Sequence, residues 1–319
     1  MATLVRYSQG CSIPVPRIFK LKKLKIRMEK NWYDRIYRLL LVVPAILLIF
    51  SVVYLYNFNN ENDDLILKDV SLTGGTTITV IDGNVDINEL KNFLDTKFDD
   101  INVRGISDIR TGSMQGFFVE TGAEPAEIES VLEEFLGYKL TTDNSSIEFS
   151  GASLSSGFYQ QLRVAVLFAF LFMAIVVFLV FRSGVPSLAV ILSAFADIVM
   201  TLMVVDLIGL RLSSAGIIAF LMLIGYSVDI DILLTTRVLK KKSISINSRI
   251  YDAFKTGFTM TLTSIVAITI ALVVIFNFSD ALRQIFSVLL IGLGFDLMNT
   301  WFANASILKE YAERKETIR

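Results

Sequence analysis

Residues 225–237 read GYSVDIDILLTTR, an apolar run that nevertheless carries two aspartates, Asp229 and Asp231. A carboxylate at the centre of a membrane helix costs at least about 2.5–3.5 kcal/mol, so such residues are rarely incidental. Whether this run crosses a membrane decides the fold. Crossing a hydrocarbon core of about 30 Å takes roughly 20 apolar residues in a helix. Six blocks meet that length, near 36–56, 162–181, 186–208, 213–234, 259–278 and 283–305. The quoted stretch ends the fourth of them. Of the 319 residues, 53% are hydrophobic and 19% charged, against roughly 25% charged in a soluble domain. The reading is a polytopic α-helical membrane protein with six transmembrane helices.

Charge sets the expected orientation. Residues 1–35 hold nine Lys or Arg, the 235–258 loop six, and the chain after 305 four, whereas 57–161 carries nineteen acidic and six basic residues. Short basic loops stay on the cytoplasmic side. The expected organisation is a basic cytoplasmic N-terminal segment at 1–35, a first transmembrane helix at 36–56 and an extracytoplasmic domain at 57–161. A five-helix transmembrane bundle at 162–305 and a cytoplasmic tail at 306–319 follow. The location is a multi-pass plasma-membrane protein with both termini cytoplasmic. Topology and attraction to anionic membrane lipid account for the basic loops without any nucleic acid. The first block ends in YLYNFNN, with no small-residue cleavage site, and reads as a retained anchor. The chain has one cysteine, Cys11, and no histidine. A disulfide framework and a thiol catalyst are excluded, and no metal or other cofactor is expected.

Within 57–161 the pattern is readable element by element. VSLTGGTTITVID (70–82) alternates like a strand, and DINELKNFLDTKF (86–98) places Ile87, Leu90, Leu94 and Phe98 at helical spacing. INVRGISDIR and QGFFVETG read as two strands, EPAEIESVLEEFLG as a helix opened by Pro125 and stopped by Gly137, and SSIEFSG as a last strand. The order βαββαβ is that of an α+β ferredoxin-like domain. Gly74-Gly75 is too short for a nucleotide fingerprint and reads as a bulge or close backbone approach. With no nucleophile–base pair or phosphate loop, this is a binding or mechanical module.

Asp197, Asp206, Asp229, Asp231 and Asp296 fall in the later spans. At about 1.5 Å per residue, Asp197, Asp296, Asp229 and Asp231 lie roughly 17–27 Å from the outer face, while Asp206 is near that face. Four carboxylates on three helices thus share one slab. Two residues along a helix turn about 200°, so Asp229 and Asp231 cannot face one partner. A helix sandwiched between its own bundle and a partner subunit satisfies both. The two readings of the aspartates are proton or ion handling and interhelical hydrogen bonding worth about 0.6–2 kcal/mol each.

LTGGTTITV (72–80), GASLSSGFYQQLRVAVLFAFLFMAIVVFLVFR (151–182) and GYSVDIDILLTTR together resemble the SecF family of the SecD–SecF protein-export complex. GLGFDLMNTWFANASIL (292–308) looks like its archaeal form. The resemblance implies an RND-like membrane domain, a SecD-like partner subunit, association with the Sec translocation channel, unfolded exported proteins as clients, and use of the proton gradient. Gly74, Gly75, Gly225 and Tyr226 belong to the motifs that carry it. Position by position, it implies Asp229 as the leading proton-path candidate, with Asp231 behind it. Asp197 keeps the acid of a bacterial His-Asp pair, and Arg237 keeps the arginine of an Asp-Arg pair. Phe258 stands where bacterial members carry an arginine, with Lys255 one turn earlier, and Asp296 belongs to an archaeal variant of the network. The chain is then a non-enzymatic export accessory. The alternatives are an intramembrane aspartyl protease, from Tyr226, Asp229 and Asp296 at spacings that do not match that class, and a small-molecule RND-type transporter.

Overall fold

The computed structural model describes residues 32–98, 100–107, 111, 113–240, 245–275 and 279–317. The basic segment with Cys11, the end of the second predicted strand, part of the basic loop and the end of the fifth predicted span lie outside the described residues. The elements are α1 (Trp32–Asn62), α2 (Val70–Thr73), β1 (Gly75–Val80), α3 (Ile87–Asp95), β2 (Ile101–Ser107), β3 (Met114–Thr121), α4 (Pro125–Leu136) and β4 (Ser145–Ser150). The bundle follows as α5 (Ala152–Phe181), α6 (Gly184–Leu207), α7 (Ser214–Lys240), α8 (Ile246–Ile275), α9 (Asp280–Met298), a π-helical turn (Asn299–Asn304) and α10 (Ala305–Thr317).

Six helices are long and apolar enough to cross a membrane. They are not equivalent. About 61% and 56% of the apolar windows of α6 and α7 are buried within the chain, against 6% for α5 and α8. So α6 and α7 form the centre, and polar residues tolerated inside the bundle belong there. Glycines set the closest approaches. A Cβ on Gly292 would come within 2.5 Å of the Leu223 side chain, and one on Gly257 within 2.7 Å of the Trp301 ring.

Five spans are longer than the hydropathy predicts: α7 runs on to Lys240 and α8 begins at Ile246 rather than 259. The helix expected at 162 begins at Ala152, and α1 runs on to Asn62. The last span does not end at 305: α10 continues the axis to Thr317 and buries Leu308, Lys309 and Ala312. The predicted tail is therefore a packed helix over its described length. Hydropathy finds where helices are apolar, and these extensions are amphipathic.

Between α1 and α5 the order of strands and helices is βαββαβ. The sheet order is β2-β3-β1-β4, with every pair antiparallel. Its core is Ile78, Val80, Leu90, Leu94, Phe117, Val119, Ile128 and Leu132, all fully buried. Asp86 caps α3 by accepting from the Asn88 amide at 2.8 Å, and Gly137 ends α4 in a left-handed conformation. One boundary differs from the sequence reading. Val70–Thr73 is not strand but a single helical turn, because Asp69 accepts from the Val70 amide at 2.6 Å and Gly74 turns the chain at φ +90°.

The segment preceding β1 stitches the α+β domain to the bundle. The Leu212 amide donates to Leu67 O at 2.7 Å and the Asp69 amide to Leu212 O at 3.0 Å, joining it to the α6–α7 loop. Arg211 reaches Asp100 at 2.6 Å. Asp64 accepts from the Tyr159 hydroxyl of α5 at 2.8 Å and pairs with Lys68 at 2.9 Å. Burial works to raise the Asp64 pKa, but the bonds from Lys68, Tyr159 and the Leu65 amide outweigh it and hold the carboxyl below its ordinary value.

Gly74 and Gly75 mark the close approach expected of them. Cβ atoms there would fall 2.4 Å from Ala152 Cα and 2.3 Å from Thr121 O, backbone atoms that cannot swing aside. Gly74→Ala should therefore destabilise the protein by more than about 1 kcal/mol. Gly157→Ala, in α5 with open space around it, should stabilise by about 0.5–1 kcal/mol. Thermal unfolding of the two purified variants in one detergent checks the opposite signs.

Candidate functional site

Ionisable side chains inside the bundle converge on the faces shared by α6, α7, α9 and the π-helical turn. Asp197 (α6), Asp231 (α7) and Asp296 (α9) are each fully buried. Polar neighbours bridge them. Ser227 Oγ donates to Asp197 Oδ2 at 2.6 Å, and Asn299 Nδ2 donates to Asp197 Oδ1 at 2.6 Å. Asp231 Oδ1 accepts from Thr300 Oγ1 at 2.8 Å and Asn304 Nδ2 at 2.7 Å. Thr300 Oγ1 also lies 3.4 Å from Asp296 Oδ1. One hydroxyl proton thus faces two carboxylates and is given to the nearer.

The π-helical turn makes this arrangement possible. Widening the helix to an i→i+5 pattern inserts an extra residue into the turn, a feature frequent at functional sites. Here it brings Asn299, Thr300 and Asn304 together inside the bundle, each fully buried. Trp301 points to the other neighbour, packing edge-on to Phe254 at 5.0 Å.

The cluster is rich in acceptors. Asp231 Oδ2, Asp296 Oδ2, Asn299 Oδ1 and Asn304 Oδ1 are buried with no partner among the described residues, and all four are acceptors. The Ser193 hydroxyl of α6, likewise buried with no hydrogen-bond partner among the described residues, is a further donor beside Asp231. A proton on a carboxylate converts an acceptor into a donor, so proton binding is the change that would satisfy this network. Among the described residues no group of three or more acidic or cysteine side chains has a metal-holding arrangement.

Asp229 does not join the cluster. It lies on the exposed face of α7 with Gly225 and Tyr226, while Asp231 is buried. The 200° separation turns Asp231 inward and Asp229 outward, so Asp231 is the one of the two that packs with Asp197 and Asp296. This also parts Asp229 from Asp296, the pair on which the protease alternative rests. The supporting charges stand elsewhere too. Arg237 donates from Nη1 to Asp252 O at 2.6 Å and Thr256 Oγ1 at 2.8 Å, tying the end of α7 to α8. Lys255 is exposed. Among the described residues neither cation is bonded to the three buried carboxylates, and Phe258 supplies no charge in their place. The residues that sequence reasoning missed are Ser227, Asn299, Thr300 and Asn304. The signal was present as three polar residues in NTWFAN, inside a span read only for its apolar content.

A family model described as "Protein export membrane protein SecD/SecF, C-terminal" matches residues 130–314. A protein-export membrane protein SecF from Methanocaldococcus jannaschii is 43% identical over 284 residues, covering 86% of this chain and 95% of that protein. SecF proteins from Methanothermobacter thermautotrophicus and Pyrococcus furiosus are 39% and 34% identical, over 88% and 92% of this chain and 95% and 96% of theirs. The fold is similar to the crystal structure of SecDF, a translocon-associated membrane protein from Thermus thermophilus. That likeness has a TM-score of 0.68 and 18% identity, covering 88% of this chain. The chain spans only 38% of the length of that protein.

Thr300→Val removes the hydroxyl that serves Asp231 and Asp296 while keeping the side-chain shape. Leaving buried carboxylate oxygens short of a donor should cost about 1–3 kcal/mol. Thr235→Val is the control: Thr235 is fully buried and its hydroxyl has no partner among the described residues, so its loss should be neutral or stabilising. Comparative melting of both variants measures the difference.

Proposed function

The chain belongs to the SecF family of protein-export membrane proteins, and from that membership we propose that it serves as a non-enzymatic subunit of the export machinery, paired with a SecD-like subunit. Protons entering and leaving the buried acid cluster drive its working cycle. The observation that carries the proposal is the acceptor-rich set of three buried carboxylates on three helices. In a low-dielectric bundle where no cation among the described residues is bonded to them, three negative charges cannot be held together. Each change of charge must be matched by a proton or ion crossing part of the membrane. One charge moved through 100 mV supplies about 2.3 kcal/mol, comparable to making or breaking the hydrogen bonds that hold α6, α7 and the π-helical turn together.

The proposed geometry of coupling is short. The α6–α7 loop joins the helix carrying Asp197 to the helix carrying Ser227 and Asp231, and the same loop is hydrogen-bonded to the segment that opens the α+β domain. Repacking of α6 against α7 would move that domain, which in this reading lies outside the cytoplasm and handles the emerging unfolded client near the Sec channel. Both chain ends lie in the cytoplasm. The exposed α7 face bearing Met222, Tyr226 and Asp229 receives the SecD-like subunit, which explains an aspartate there without placing it in the cluster.

Two measurements test this. The protein should copurify from native membranes with a second multi-span subunit bearing its own extramembrane domain; an active, stable preparation without one would refute the pairing. In export of a secreted client into energised vesicles, Asp231→Asn should lower gradient-dependent transport by at least about tenfold, the scale of a lost proton-carrying group. The complex should still assemble. Asp229→Asn should reduce export less. Normal export by Asp231→Asn, with defects confined to Asp231→Leu, would make the cluster interhelical hydrogen bonding only.

A further inference from the structure

A groove opens between α1 and α10 at the end of the bundle away from the α+β domain. Its broad part has a volume of about 500 Å³, floored by Leu41 and Ile307 and rimmed by Arg38 and Arg314. Leu41 and Ile307 also line a narrower cleft of about 100 Å³, which continues past Leu192 to Asn299. The volume of the broad part is in the range of ligand pockets, about 300–1,000 Å³. Its walls are almost entirely apolar and its charged groups sit at one end.

The charged end is organised. Tyr37 donates its hydroxyl to Glu310 at 2.7 Å, Arg38 donates Nη2 to Glu310 at 3.0 Å, and Arg314 donates Nε and Nη2 to Glu310 at 3.1 and 3.0 Å. Arg38 also donates Nε to Tyr37 Oη at 3.1 Å. One carboxylate therefore holds two guanidinium groups in place and offsets one of their charges. The Nη1 group of each arginine is left without a partner among the described residues, and the two side chains remain 74% and 76% exposed. This is a net single positive charge carried by fixed, open N–H donors, set at the mouth of an apolar channel.

We propose that this groove is a binding site for one anionic phospholipid. Arg38 and Arg314 hold its phosphate, and an acyl chain lies along Leu41 and Ile307 towards Leu192. The match is one of charge and polarity together. A phosphodiester carries one negative charge and accepts the paired N–H groups of a guanidinium, while the narrower cleft behind it is lined mainly by aliphatic side chains, with Ser193 and Asn299 its polar residues. The chain end would lie against Asn299, whose amide holds Asp197. A bound lipid would therefore close the lipid-side approach to the acid cluster. The inference needs only that the chain spans a membrane and stands apart from the export reading.

Native mass spectrometry of the full chain, purified in mild detergent with whatever subunit it retains, tests the site. Phosphatidylglycerol should be retained at one molecule per chain, and phosphatidylcholine should not be. Arg38→Gln and Arg314→Gln should each weaken phosphatidylglycerol retention by about fivefold, the scale of one basic residue at an anionic surface. Ile307→Trp, which fills the channel without touching the charges, should abolish it; an unchanged melting temperature in each variant shows that folding is intact. Competition by free glycerol phosphate would mean a phosphate site rather than a lipid site and overturn the proposal. Equal retention of both lipids, wild-type retention by the arginine variants, or loss of lipid whenever the companion subunit is bound would overturn it as well.

Discussion

The hydrogen bond from Asn299 to Asp197 joins the last helix to the centre of the bundle, and the polar interior is organised around bonds of this kind. A carboxylate cannot stay buried in this setting unless donors reach it. Each acid therefore constrains the helix opposite. Asp197 draws in Ser227 of α7 and Asn299, and Asp231 draws in Thr300 and Asn304. Three of these donors lie in a turn that is π-helical rather than α-helical, so the backbone itself has yielded to place them. Close packing elsewhere makes room: Gly257 admits the Trp301 ring beside the same turn, and Gly292 admits Leu223 between α7 and α9.

The same two central helices are tied to the rest of the molecule through the loop that joins them. Their connecting loop is short and is tied by two main-chain hydrogen bonds to the strand-like segment leading into the α+β domain. Gln284 of α9 accepts from both the amide and hydroxyl of Ser213 at the start of α7. A third helix thus braces the junction. The domain end is fixed by Asp64, which reaches across to Tyr159, and by the helical turn capped by Asp69. A rotation of α6 against α7 has little slack to absorb it before it reaches β1, which begins two residues beyond that turn's last helical residue, Thr73.

How much of this was readable follows from which physical signals are local. The six spans, the βαββαβ order and the depth of Asp197 and Asp296 come from hydropathy, periodicity and rise per residue, all of which are carried by neighbouring residues. The choice between Asp229 and Asp231 is not local. Helical phase says that they face opposite ways, but only the positions of α6 and α9 say which way is inward. The family resemblance favoured Asp229 by alignment, and packing favours Asp231. Val70–Thr73 looks like strand because valine and threonine prefer strands, and the capping aspartate before it was the competing signal. The polar side of the last span was hidden by its composition: NTWFAN lies within a segment apolar enough to cross a membrane, and no periodicity announces a π-helical turn.

Phe258 supplies the last step. Bacterial members of the family are expected to bring an arginine into the bundle at that place, whereas this chain meets its carboxylates with two asparagines, a threonine and a serine. An arginine would balance one charge permanently. Neutral amides and hydroxyls cannot, and four acceptor atoms of the cluster have no donor among the described residues. What completes such a network is a mobile positive species, and a proton is the smallest that can convert an unsatisfied carboxylate oxygen into a donor for the waiting amide oxygens. In the proposed reading, neutral donors in place of an arginine leave the balancing charge to an ion that comes and goes rather than to a fixed side chain.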